Sequence, residues 1–149
     1  MLNIENLTNL MIDVKLLERI SKHLLKAFPS REIDLTICDN QTIQQYNHEY
    51  RGKNQPTDVL SFPLESDMII DINLMPLGSI VISSDFVKEK SQEFNHGYDD
   101  ELSLLFIHGM LHLLGFDHEI DNGEMRAEEA VLIHQFHLPK SLIIRTEES

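Results

Sequence analysis

Hydrophobic and polar positions change period several times along the chain, and each change predicts an element. Leu2-Asn3-Ile4-Glu5 alternates, which predicts a short first strand. From Asp13 the period becomes helical: Leu17, Ile20 and Leu24 fall at i, i+3 and i+7, with Leu16 and Ala27 beside them and Pro29 just beyond the end. Ile33, Leu35 and Ile37 alternate with charged or polar residues, the pattern of a half-exposed strand. Asn40 or Asp39 can cap a short helix to about Glu49, with Ile43 and Tyr46 inward. Arg51 to Pro56 reads as a turn-rich loop, and Thr57 to Pro63 as a strand that stops at the proline.

Residues 64–77 mix apolar and acidic positions around Pro76, and within them Ile69 to Ile72 suggests an extra edge strand. Gly78 to Ser83 is a clearer strand, and Ser83 or Ser84 can cap a helix running toward Phe94. Asp99 or Asp100 is placed to cap the next helix, in which Leu102, Leu105 and Phe106 face the core. A last helix is expected over Glu124 to Phe136, with Pro139 beyond it. Strands come early and interleave with helices. The simplest architecture is an α+β single domain over residues 1–149, a mixed sheet of about four strands packed by about five helices.

The helix that begins near Asp99 ends in His108-Gly109-Met110-Leu111-His112-Leu113-Leu114-Gly115-Phe116-Asp117-His118. His108 and His112 are four apart, so they stack on one helix face where both imidazoles can reach one ion. Gly115 stands at helix-stop spacing, and the turn it permits can bring His118 round as a third ligand. Three protein ligands leave a fourth position open, the arrangement of catalytic rather than structural zinc sites. The spacing matches that of metzincin proteases, but the position of their glutamate base is Gly109. A metal centre on the late helix and the turn after it is therefore expected with different chemistry.

Net charge is −13, which by itself disfavours nucleic acid. The distribution alters that picture. Residues 1–62 hold seven Lys/Arg against eight Asp/Glu, while residues 63–149 hold five against seventeen, so a polyanion should approach the N-terminal half. Lys15, Arg19, Lys22 and Lys26 repeat along one predicted helix and make either a solvated face or a phosphate track. The single cysteine, Cys38, excludes an internal disulfide and reads as a buried thiol; with no secretory leader pattern at the N-terminus, a cytoplasmic protein is expected. No apolar run approaches membrane-spanning length.

The motif from His108 to His118 resembles the H-G-x-L-H-L-x-G-[YF]-D-H signature of the YbeY family of bacterial endoribonucleases. Asn47-x-x-Tyr50-Arg51, then Thr57-Asp58-Val59-Leu60-Ser61-Phe62-Pro63, is similar to that family's second block, and Leu77-Gly78-x-Ile80-x-Ile82-Ser83 to its third. Two positions depart from the pattern: Ser79 stands where the family usually has Asp, and Phe116 where Tyr is commoner. The resemblance implies single-strand-directed RNA cleavage in ribosomal RNA processing, including maturation of the 16S rRNA 3′ end, and ribosome quality control. It implies one Zn²⁺ per chain on His108, His112 and His118, and an arginine at position 51 that acts on the phosphate.

That chemistry is coherent. Zinc on three imidazoles lowers the pKa of water toward neutrality and polarises a phosphoryl oxygen, which replaces a glutamate base. Gly109 is expected to leave room beside the metal. A planar guanidinium suits the charge that develops on phosphorus, which fits Arg51. Asp117 can orient a ligating imidazole or cap the turn, and Asp58 is expected to serve as a buried hydrogen-bonding group. Glu119, Asp121, Glu124, Glu128 and Glu129 read mainly as a solvated acidic face. Two other readings stand beside the endoribonuclease: a metal hydrolase of another class, peptidase-like, and a non-enzymatic ribosome-associated factor with a structural metal.

Overall fold

The computed structural model describes residues 1–64 and 76–139. In chain order its elements are β1 (Leu2–Asn6), α1 (Val14–Leu24), β2 (Ile33–Cys38), α2 (Asn40–Arg51), β3 (Val59–Pro63), β4 (Gly78–Ser83), α3 (Ser84–Glu93), α4 (Tyr98–Leu113) and α5 (Glu124–Phe136). The expected extra strand over Ile69 to Ile72 lies outside the described residues.

The strands form one mixed sheet in the order β1-β2-β4-β3. β1 runs parallel to β2 with Leu2 opposite Ile33, and β2 parallel to β4 with Ile33 opposite Gly78. β3 is antiparallel to β4, Val59 facing Ile82 and Pro63 facing Gly78. Pro63 is tolerated because it ends a strand that pairs on one side only among the described residues. With five helices around four strands this is the expected single-domain α+β fold.

Strand alternation divides the core. Ile33, Leu35, Ile37, Ile80 and Ile82 pack with Leu17 and Ile20 of α1 and with Leu102, Leu105, Phe106 and Met110 of α4. Cys38, Leu60 and Val81 point to the other face, where Ile43, Tyr46 and Phe62 cover them. α4 is enclosed on nearly every side, from Glu101 through Ile107 and again at Gly109, Met110 and Leu111. A helix apolar all round belongs inside, and this one carries His108 and His112 in its last two turns.

Local chemistry sets the boundaries. Asp13 caps α1 by accepting the Leu16 N–H, and Asp39 caps α2 by accepting that of Thr42 at 2.8 Å. Ser83 caps α3 at Phe86. α4 begins earlier than expected: its N-cap is Gly97, whose N–H Asp100 accepts, while Asp99 accepts the distant Asp13 N–H at 2.9 Å. β3 starts at Val59 rather than Thr57; the Ser83 N–H still donates to the Asp58 carbonyl at 2.9 Å, while Asp58 Oδ1 takes the Val59 N–H at 2.7 Å on the side of β3 away from β4.

Gly109 corrects an expectation. It does not leave room at the metal; a Cβ there would stand 3.0 Å from Ile80 Cγ2 and 3.1 Å from Ser61 Oγ, so its missing side chain is what lets α4 lie against the sheet. The Ser61 hydroxyl donates to the Gly109 carbonyl at 3.2 Å across that contact.

Gly109→Val is expected to lower the unfolding free energy by about 1–3 kcal/mol in urea titration, because overpacking outweighs the better helix propensity. Burial, reinforced by the charges of Asp39 and Asp85, raises the Cys38 thiol to about 11. The folded protein should therefore resist a disulfide reagent at pH 8 and take up one equivalent once denatured. Rapid labelling of the native state would contradict this.

Candidate metal centre and cleft

His108 and His112 sit in the last two turns of α4, one turn apart. After Leu114 the helix closes in a Schellman motif: the Gly115 N–H donates to the His112 carbonyl at 3.0 Å and the Phe116 N–H to that of Leu111 at 3.0 Å. Gly115 has φ of +100°, which a side chain would strain, and the reversal returns His118 to the first two rings. The His118 ring centroid is 5.4 Å from that of His108 and 5.8 Å from that of His112. One ring nitrogen from each of the three lies within 4.8 Å of the others, and among the described residues they alone form a group that could hold a metal ion.

For neutral rings, hydrogen bonding assigns the available nitrogens. His112 Nδ1 lies 3.1 Å from the Phe116 carbonyl, which can only accept, so Nδ1 carries the proton and Nε2 is bare. His108 Nδ1–H donates to Glu129 Oε2 at 3.2 Å, which leaves its Nε2 bare as well. The two Nε2 atoms face each other at 3.2 Å. Two lone pairs at that distance repel unless a cation joins them, and two imidazole ligands at ~2.0–2.1 Å around a tetrahedral ion stand about 3.3 Å apart. His118 adds a buried Nδ1 with no hydrogen-bond partner. These donors fit a metal.

Burial first, and then the neighbouring imidazoles of His108 and His118, hold His112 below its ordinary pKa; the Phe116 carbonyl and Asp117 oppose them. His112 thereby favours the neutral form that a metal ligand requires.

A cavity of about 660 Å³ opens over the three histidines, and Arg51, Asp58, Ser61, Phe116 and Ile120 contribute to its wall. Arg51 is the last residue of α2, and Gly52 at φ of +71° caps the helix behind it. An exposed guanidinium is thus carried to the cleft by an element on the opposite side of the sheet from α4. Asp58 is half-buried and bonded to Val59 and Thr57, as expected of a structural carboxylate.

Asp117 caps the turn by accepting the Glu119 N–H at 3.0 Å. One group at the centre was missed: Glu129 of α5 is buried against His108 and is corrected from its place on the solvated face. Met125, Glu129 and Leu132 are buried at i, i+4 and i+7, so an acidic residue on the apolar stripe of a helix was the available signal. His96 pairs with Glu101 at 2.8 Å, and His23 meets Gln135 and Phe136, so neither joins the centre. Ser79 shares its sheet face with Val81, opposite the face on which Ile80 meets Gly109, and does not line the cleft. Phe116 keeps the backbone acceptor that His112 uses, which a tyrosine would supply equally.

Fold and site together define an α+β domain with an open three-histidine centre at the end of its buried helix. A family model described as Endoribonuclease YbeY matches residues 3–137. The Endoribonuclease YbeY of Sulfurovum sp. is 51% identical over 150 residues, covering 98% of this chain and 97% of the relative. That of Aliarcobacter butzleri is 53% identical over 145 residues, covering 97% and 99%. A Thermotoga maritima protein solved in solution superposes with a TM-score of 0.62 at 29% identity, over 91% of this chain and 89% of that one. The chain belongs to the YbeY endoribonuclease family.

His112→Ala should abolish stoichiometric metal binding, measured by elemental analysis after dialysis, and should remove the rise in melting temperature that metal gives the wild type. Undiminished binding by the variant would mean that the ion sits elsewhere.

Proposed function

We propose that this protein is a single-strand-directed endoribonuclease of ribosomal RNA processing, acting at the 16S rRNA 3′ end and in ribosome quality control, with Zn²⁺ on His108, His112 and His118. Membership of an endoribonuclease family supports the RNA-cleaving role. The observation that carries the mechanism is that Arg51 and the three histidines, more than fifty residues apart in sequence, line one cleft.

Bound zinc supplies Lewis-acid polarisation and activation of water at neutral pH. The chain's own residues do the rest. Arg51 is the catalytic residue: its fork of N–H donors binds the scissile phosphate and stabilises the extra negative charge of the transition state. His108 and His112 keep Nε2 deprotonated through the acceptors at their Nδ1 atoms. Lys15, Arg19 and Lys22 on α1 and Lys26 just past its end are all exposed, which supports approach of RNA from the less acidic N-terminal half.

The peptidase reading loses its footing at Gly109, since the position of the glutamate base faces the sheet instead of the cleft. Cytoplasmic residence fits a ribosomal substrate, and among the described residues no helix is long and apolar enough to cross a membrane.

The test is cleavage of a single-stranded precursor carrying the 16S 3′ extension, alongside the same sequence as duplex. Arg51→Ala should keep its metal and lose about 100-fold or more in kcat, as removal of one transition-state donor does. Arg51→Ala cutting as fast as wild type would contradict the assignment, and metal-loaded wild type that cuts neither substrate would favour a non-enzymatic ribosome-associated factor.

A further inference from the structure

α5 contributes one side chain to the neighbourhood of the metal centre, and it is an unusual one. Glu129 is 1% exposed, on a stripe otherwise formed by Met125 and Leu132. A carboxyl group in such a place is costly unless a specific partner compensates it. Its hydrogen-bond partner is His108 Nδ1, at 3.2 Å. The His108 ring that it meets is itself only 14% exposed.

We infer that Glu129 is the positioning residue of the metal centre, holding His108 in the Nδ1–H tautomer so that its Nε2 lone pair points at the ion. The inference rests on the reading of the three histidines as metal ligands. A neutral imidazole has one proton for two nitrogens. Without an acceptor at Nδ1, the proton is free to move to Nε2, where it would face His112 Nε2 at 3.2 Å and close the site to a cation. His112 is protected from this by a backbone carbonyl, which no substitution at Phe116 removes. His108 depends on a side chain from a different helix.

The same contact links metal to tertiary structure. Glu129 tethers α5 to α4 through the imidazole that binds the ion, so binding should strengthen the α4–α5 contact. A carboxylate also raises the basicity of the ring it accepts from, and loss of such a partner commonly weakens metal binding 10–100-fold.

The test uses full-length wild type, Glu129→Ala and Glu129→Gln, with Zn²⁺ affinity measured by chelator competition and melting temperatures taken with and without Zn²⁺. Glu129→Ala should bind Zn²⁺ about 10–100-fold more weakly. Glu129→Gln retains an acceptor oxygen at nearly the same place and should recover part of that loss; being nearly isosteric, it also keeps the test valid if the alanine variant folds poorly. In both variants the rise in melting temperature on adding Zn²⁺ should shrink. A role confined to packing α5 would lower the metal-free and metal-bound midpoints together and leave that rise intact, which would overturn the inference, as would wild-type Zn²⁺ affinity in Glu129→Ala. Failure of the wild type to bind Zn²⁺ would instead overturn the metal centre itself, and this inference with it.

Discussion

Helix α4 lies against β3 and β4 at a distance that favours a glycine. A Cβ at position 109 would stand 3.0 Å from Ile80 and 3.1 Å from Ser61, so those side chains would have to give by a few tenths of an ångström or the helix, with its two histidines, would have to shift. The contact places His108 and His112 beside β3; Asp58 in the loop before that strand and Arg51 at the end of α2 reach the same opening. The cleft is therefore a consequence of how closely one buried helix packs.

Around that contact the polar groups form a second layer of constraint. Each imidazole of the α4 pair has its Nδ1 committed to an oxygen acceptor, one from the Schellman turn and one from α5. The commitment turns both Nε2 atoms toward the same point, and burial favours the neutral form of His112. Backbone capping and helix docking thus act on which ring nitrogens His108 and His112 leave free. In the proposed centre, a change in either element would reach a bound ion without touching it.

Much of this was legible in the chain. Period-two and helical stretches located the four strands and five helices, and the His-x3-His-x2-Gly-x2-His spacing assembled three ligands because helix geometry and a glycine turn are local rules. Arg51 was legible only through resemblance to a family motif, since nothing local tells a cleft arginine from a surface one. Gly109 and Glu129 were misread for one shared reason: each faces a partner distant in sequence, the sheet for one and α4 for the other. β3 begins at Val59, two residues later than the pattern of its residues suggested. Ser79, a departure from the family pattern, proved to stand on the sheet face away from the cleft.

The account depends on one ion in the three-histidine centre serving RNA cleavage. The most direct measurement is to strip the wild-type protein of metal, restore Zn²⁺ in fractional equivalents, and follow the initial rate of single-stranded RNA cleavage against measured occupancy. The rate should rise in proportion to occupancy, reach its plateau at one ion per chain, and return to background when the ion is removed again. Full cleavage by the metal-free protein, or a plateau unrelated to one equivalent, would contradict it.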